Sequence, residues 1–180
     1  SLGLFFGQIR DEKNLDGLIR ALSYCEERPH LVVAGKEMGM RHRPVRYYEQ
    51  LAHEEGVADR VTFRIGHVPD EHVGRLFQAA DWVALPYRRS FTSQSGVLNV
   101  AAHYARPVVV TPSPVLRETV ETSGIGVACD EETPEAIARG IDRIVALQQG
   151  GHRFPFEAYR TQYSWEENVR RTVDTYCALL

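Results

Sequence analysis

Leu85-Pro-Tyr-Arg-Arg-Ser-Phe-Thr-Ser-Gln-Ser-Gly-Val-Leu-Asn-Val-Ala-Ala-His-Tyr-Ala-Arg-Pro-Val-Val-Val110 reads as a strand end, a polar loop, a short helix and a second strand. The apolar run from Trp82 stops at Pro86, which has no N–H to give a sheet. Val108, Val109 and Val110 are consecutive and β-branched, a composition that suits a strand covered on both faces. Between them, the polar loop Tyr87 to Gln94 runs into Ser95-Gly96. Serine is a favoured helix N-cap, and glycine lets a ligand come close to the backbone. A helix start carries unpaired N–H groups and partial positive charge, so this junction suits an anion.

Working outward, apolar strands alternate with amphipathic helices. Leu2 to Gly7 reads as a first strand, and Asn14 as the N-cap of a helix striped by Leu15, Leu18, Ile19 and Leu22. Leu31 to Gly35 and Val61 to Arg64 are further strands, and Tyr47, Tyr48, Leu51 and Ala52 mark the helix between them. Pro69 opens a helix carrying Val73, Leu76 and Phe77. Beyond the centre come a helix over Val115 to Glu121, a strand over Ile125 to Cys129, and a helix entered at Thr133-Pro134. Ser164-Trp-Glu-Glu167 is a capping box for a terminal helix with Val169, Val173 and Tyr176 on one side. The alternation predicts an α/β fold: a Rossmann-like, doubly wound parallel sheet of about six strands with helices on both faces. Two segments are expected, residues 1–150 as the Rossmann-like domain and 151–180 as a C-terminal helical segment. The opening on Leu2-Gly-Leu-Phe-Phe-Gly, without an initiator Met, reads as a piece of a longer protein.

Composition removes several classes. A net charge of -3 leaves no electrostatic footprint for nucleic acid, and the cluster Arg41, Arg43, Arg46 reads as a solvated helix start. Cys25, Cys129 and Cys177 are odd in number and lack a CxxC, so they fit free thiols in a reducing compartment. There is no P-loop, no G-x-G-x-x-G, no G-x-S-x-G elbow and no D-x-D. The seven histidines lack ligand spacing, so neither a metal nor a cofactor is expected.

In doubly wound sheets, ligands sit outside the carboxyl ends of the strands. That rule gathers Gly7 to Lys13, Arg64 to Val68 and Tyr87 to Gly96 along one edge. Those loops offer Lys13, Arg64, Arg88 and Arg89 as cations facing the Ser95-Gly96 helix start, an arrangement for phosphate. Arg88 and Arg89 are adjacent, so both are not expected to point inward. Glu118 reads as a helix-start acid rather than a site residue.

Three segments resemble the donor-binding C-terminal domain of family 4, or group 1, glycosyltransferases of the GT-B fold. They are F-F-G-Q-I-R-D-E-K-N-L; V-T-F-R-I-G-H-V-P with the later A-A-D-W-V-A-L-P; and S-G-V-L-N-V-A-A-H-Y-A-R-P-V-V-V-T followed by R-E-T-V and G-V-A. The ordered set covers most of Leu2 to Val145. The resemblance implies a transferase of hexosyltransferase type, incomplete as an isolated domain. It would perform a retaining transfer from a nucleotide diphosphate sugar, without a metal. The acceptor, a sugar or a lipid-linked one, would be held by an N-terminal domain absent from this chain. It further implies a cytoplasmic protein, free or peripheral to the inner membrane when full length.

Carried over residue by residue, Lys13 is the expected catalytic cation, neutralising the diphosphate. Gln8 stands where the family has an arginine; it can hydrogen-bond a phosphate oxygen but adds no charge. Gly7, Arg64, Ile65, Gln94, Ser95, Gly96 and Val97 complete the expected substrate-binding set. The family often carries two glutamates in the central loop and helix. Here Thr92 and Val100 occupy those positions, so ribose recognition has no evident residue, and this chain resembles members with S-Q-S-G-V-L instead. The departures leave two alternatives open, a nucleotide-binding or scaffolding module without turnover and a sugar-nucleotide epimerase of the same fold.

Overall fold

The computed structural model describes residues 1–39 and 41–179; Met40 and Leu180, inside the two expected segments, lie outside it. Six parallel strands form one sheet: β1 Leu2–Phe6, β2 His30–Gly35, β3 Val61–Ile65, β4 Trp82–Leu85, β5 Val108–Val110 and β6 Gly126–Ala128. Their order is β3-β2-β1-β4-β5-β6. The chain therefore winds one way from β1 to β3, returns to β4 on the other side of β1, and continues outward. The β1/β4 junction is the switch point at which such sheets open a crevice.

Successive side chains of a strand point to opposite faces, and here both faces are apolar. Phe5, Leu31, Val33, Trp82, Ala84 and Val109 face one core, under α1 (Leu15–Tyr24), α2 (Val45–Glu54) and α6 (Pro134–Gln149). Leu4, Ala34, Val83, Leu85, Val108 and Val110 face the other. There they meet α3 (Asp70–Ala79), α4 (Gly96–His103), α5 (Pro114–Ser123) and α7 (Phe156–Gln162). The unbroken apolar runs of β4 and β5 thus reflect burial on both sides, as the doubly wound expectation required.

Capping follows the sequence at two helices and departs from it at α1 and α4. Thr133 Oγ1 accepts from Ala136 N at 3.3 Å, and Ser164 Oγ accepts from Glu167 N at 3.1 Å. Asn14, expected to cap α1, instead lies in the left-handed region at φ 54°, and its side chain caps nothing. The preceding Asp11–Lys13 turn is a 3-10 helix, and Asn14 closes it by donating its N–H to Asp11 O at 3.1 Å. A left-handed asparagine is the compromise that links this tight turn directly to α1. The cluster expected as a solvated helix start is only partly so: Arg41 and Arg46 are exposed, but Arg43 pairs with Asp16 at 2.9 Å and lies over the Tyr47 ring.

The segment beyond residue 150 contains two helices. Helix α7 had no separate signal in the sequence, since only Phe156 and Tyr159 mark its buried side. It docks on the body, with the Tyr159 hydroxyl donating to Asn99 Oδ1 at 2.7 Å. Helix α8 (Trp165–Cys177) buries no residue, and its expected apolar side is open, with Trp165 78% exposed. Backbone amides held only by local helix bonds open far more often than those of a central strand. Amide exchange in α8 should therefore run orders of magnitude faster than in Val108–Val110. Equal protection in the two, measured by hydrogen–deuterium exchange, would show that α8 is anchored.

Candidate functional site

The ends of β1 and β2 are pressed together. Gly7 N donates to Ala34 O at 2.9 Å, and Ile9 N donates to Lys36 O at 2.9 Å. A β-carbon on Gly35 would stand 1.8 Å from the Gly7 carbonyl oxygen, and Gly35 has φ +151°, so only glycine fits there. On its other side, Gly35 O accepts from Gly66 N at 2.9 Å, which ties in the end of β3. Three strand tips thus form a shelf of bare backbone at the carboxyl edge of the sheet.

Above Gly7 sits the Lys13 side chain. The 3-10 turn carries it back over the end of β1, where it is 7% exposed. Its Nζ would lie 3.2 Å from a β-carbon at Gly7 and is 5.1 Å from the centre of the Tyr87 ring, a cation–π contact. Burial, then the nearby Arg10 guanidinium, pull its pKa down to about 8, against a smaller upward pull from Glu12. A buried ammonium with an aromatic face below it and no carboxylate touching it is poised for an anion.

The central loop is built in place by side chains that bond its backbone. Thr111 Oγ1 donates to Tyr87 O, and Ser113 Oγ donates to Phe91 O at 2.6 Å. Arg88 N donates to Glu12 O at 2.9 Å, strapping this loop to the Lys13 turn. Ser95 precedes α4 as expected, yet its hydroxyl lies 3.3 Å from the Tyr87 hydroxyl and does not cap the helix. The open N-terminus of α4 is thereby turned to the same crevice as Lys13.

One cleft of about 340 Å³ at the switch point is lined by Gly7, Gln8, Lys13, Gln94, Ser95, Gly96 and Val97, together with Phe6, Arg10, Tyr87, Phe91 and Val100. Seven of the expected residues therefore meet. Arg64 and Ile65 do not join them: both are exposed on β3 and line a second cleft of about 630 Å³ with Gly66, His67, Val68, Pro69 and His72. The glycine shelf runs between the two. Arg88, offered as a phosphate cation, is instead spent on Asp16, with Nη2 3.0 Å from both carboxylate oxygens. Arg89 is exposed and lines neither cleft, as is true of Glu118. Sequence reasoning passed over Arg10 and Tyr87, although the spacing of Arg10 and Lys13 fits one tight turn. Among the described residues, no cluster of histidine, cysteine or carboxylate side chains is suited to a metal. No described helix is long and apolar enough to cross a membrane.

Comparison with known proteins gives the same fold. The sequence pattern of the glycosyl transferases group 1 matches residues 2–146. An uncharacterized glycosyltransferase of Methanocaldococcus jannaschii is 31% identical over 182 residues, spanning 96% of this chain and 44% of that protein. The chain spans less than half the length of the curated relatives it matches. Anabaena HepE, solved in complex with UDP, superposes with a TM-score of 0.82 at 19% identity, over 99% of this chain and 49% of its own. The C-terminal domain of LpcC, a group 1 glycosyl transferase from Francisella tularensis, superposes with a TM-score of 0.76 at 16% identity, over 91% and 86%.

Proposed function

This chain belongs to the group 1 glycosyl transferases, and from that premise we propose that it is the donor-binding half of a retaining enzyme that takes a sugar from a nucleotide diphosphate sugar. The observation that carries the reading is the Lys13 ammonium, buried above Gly7 and facing the open start of α4. The diphosphate would lie between them. The second cleft, with Arg64 and Ile65 at its rim, would take the nucleobase across the glycine shelf. UDP bound to the Anabaena neighbour supports a donor of this class.

In the reaction, the bond from the anomeric carbon to the diphosphate oxygen breaks and leaves its electron pair on that oxygen. An acceptor hydroxyl oxygen forms the new bond on the face from which the diphosphate leaves, and its proton passes to the departing diphosphate oxygen. Lys13 and the α4 amides would hold the charge that develops on the leaving diphosphate, an electrostatic contribution made where water is largely displaced. Gln94 and Ser95 would bond the donor as neutral groups. No step in this scheme asks for a metal, because Lys13 and the α4 helix start would face the phosphates.

Residues 1–150 would form the donor domain. The apolar side of α8, in the segment 151–180, would pack on an acceptor domain that lies elsewhere in the full-length protein. That protein would act in the cytoplasm, free or peripheral to the inner membrane, on a sugar or lipid-linked acceptor. The buried free thiols Cys25 and Cys129 are consistent with a reducing compartment. A second reading, a nucleotide-binding module without turnover, is favoured by one observation: among the described residues no carboxylate lines the switch-point cleft, where Val100 occupies the position of an acid in many members.

The test is a titration of this chain with UDP, GDP and ADP and with their nucleosides, alongside a transfer assay. At least one diphosphate should bind more tightly than its nucleoside, with no transfer to a panel of sugar and lipid-linked acceptors. A diphosphate no better than its nucleoside for all three bases would sink the donor site. Robust transfer by this chain alone would sink the assignment as a half.

A further inference from the structure

The sequence pattern leaves the phosphate site one cation short, because Gln8 replaces the arginine usual in the family. Arg10 lies two residues on and lines the same cleft as Gln8 and Lys13. We propose, resting on the donor-site reading, that Arg10 is the second phosphate-binding cation, supplied from a different position of the same turn. Several observations bear on it. The Arg10 Nε is buried and, among the described residues, has no hydrogen-bond partner. A buried guanidinium N–H without an acceptor is costly unless a ligand oxygen completes it. The side chain is about a third exposed, so its outer nitrogens can still reach a bound molecule. Among the described residues its one ionic contact is Glu12, 3.2 Å from Nη1 and itself about a third exposed, and exposed pairs of this kind are weak and readily exchanged.

By contrast, Arg88, on the central loop strapped to this turn, is held by both oxygens of Asp16 and by Asp11 O at 3.2 Å. Arg10 and Arg88 are thus sorted by their partners. Arg88 is structural, and Arg10 keeps donors free. A guanidinium beside the Lys13 ammonium is a repulsive pair in the empty protein, consistent with the lowered pKa of Lys13. Such a pair persists where an anion relieves it. The titratable and charged groups facing Lys13 are Arg10 and Glu12 from its own turn and the Tyr87 phenol from the central loop. Burial raises that phenol to about 12, so it stays neutral in the range that matters.

The experiment uses whichever of UDP, GDP or ADP binds the wild-type chain most tightly, with the matching nucleoside as control. Arg10→Ala should weaken the diphosphate on the order of tenfold, leaving the nucleoside unchanged. Arg10→Lys, which keeps the charge but not the fork, should lose less than Arg10→Gln. In Arg10→Ala and Arg10→Gln, the pH above which diphosphate affinity declines should also move up, since Lys13 loses its repulsive neighbour. A wild-type chain that binds no diphosphate better than its nucleoside would refute the donor site itself. Wild-type preference for the diphosphate with unchanged affinity and pH onset in Arg10→Gln would refute the role of Arg10 alone. Equal losses of diphosphate and nucleoside in all three variants would likewise refute it, as damage to the fold.

Discussion

Gly35→Ala is expected to lower the thermal midpoint by on the order of 10 °C. A β-carbon there would stand 1.8 Å from the Gly7 carbonyl oxygen and 2.6 Å from its carbon, and these are backbone atoms with no rotamer to yield. The residue also sits at φ +151°, where a side chain adds strain of its own. Overpacking of this kind costs about 1–3 kcal/mol, and the strained backbone about 1–3 kcal/mol more. For a domain of this size each kcal/mol is worth roughly 2–4 °C. The site should suffer with the fold, because relief of the clash pushes the end of β1 away from β2 and takes Gly7 with it. Nucleoside diphosphate affinity should fall in the fraction that remains folded. Thermal unfolding followed by circular dichroism checks the first part; a midpoint within about 2 °C of wild type would show that the strand tips are not locked together as described.

Lys13→Ala is expected to weaken nucleoside diphosphate binding on the order of tenfold to a hundredfold while nucleoside binding barely changes. Loss of a charge-assisted contact costs roughly 1.5–3 kcal/mol, and about 1.4 kcal/mol is a factor of ten. The variant should fold, because the lysine is a buried cation whose charged form the fold disfavours. The pH dependence has a definite sign. With its pKa near 8 in the empty protein, Lys13 is charged below that value and ready for phosphate. Above it, the amine must take up a proton before it can bind, so affinity should decline as pH rises past about 8. Lys13→Ala should bind weakly and without that decline. Isothermal titrations across this range decide the matter: equal affinity in wild type and variant would mean that the ammonium meets no phosphate.

Much of the architecture was legible because burial on both faces leaves a strong mark. Trp82-Val-Ala-Leu85 and Val108-Val-Val110 have no polar residue on either side of the sheet, and the helices between carry clean stripes. The carboxyl edge was legible as well, since strand–helix alternation and loop polarity together select it. The choice among cations was not. Arg88 belongs to Asp16, a partner 72 positions away, and no local pattern records that. Arg10 lines the cleft from the start of a 3-10 turn that a left-handed Asn14 closes, where the sequence suggested an ordinary capped helix. Helix α7 was missed for its shortness: seven residues offer too little periodicity to detect.

The shelf formed by Gly7, Gly35 and Gly66 changes where discrimination between ligands can be probed. A molecule lying across it meets backbone atoms, several of them already paired between the strand tips, and every substitution except proline leaves those atoms in the chain. Alanine scanning would find nothing to remove there, and larger residues would block the surface before they altered its preferences. The informative changes then belong to the small molecule. Deaza, deoxy and methylated analogues can delete one donor or acceptor at a time against an unaltered protein. If the base lies in the second cleft as proposed, redirecting its preference by design would likewise have to work from the rim, through His67, His72 or Arg64, since the shelf has no side chains to exchange.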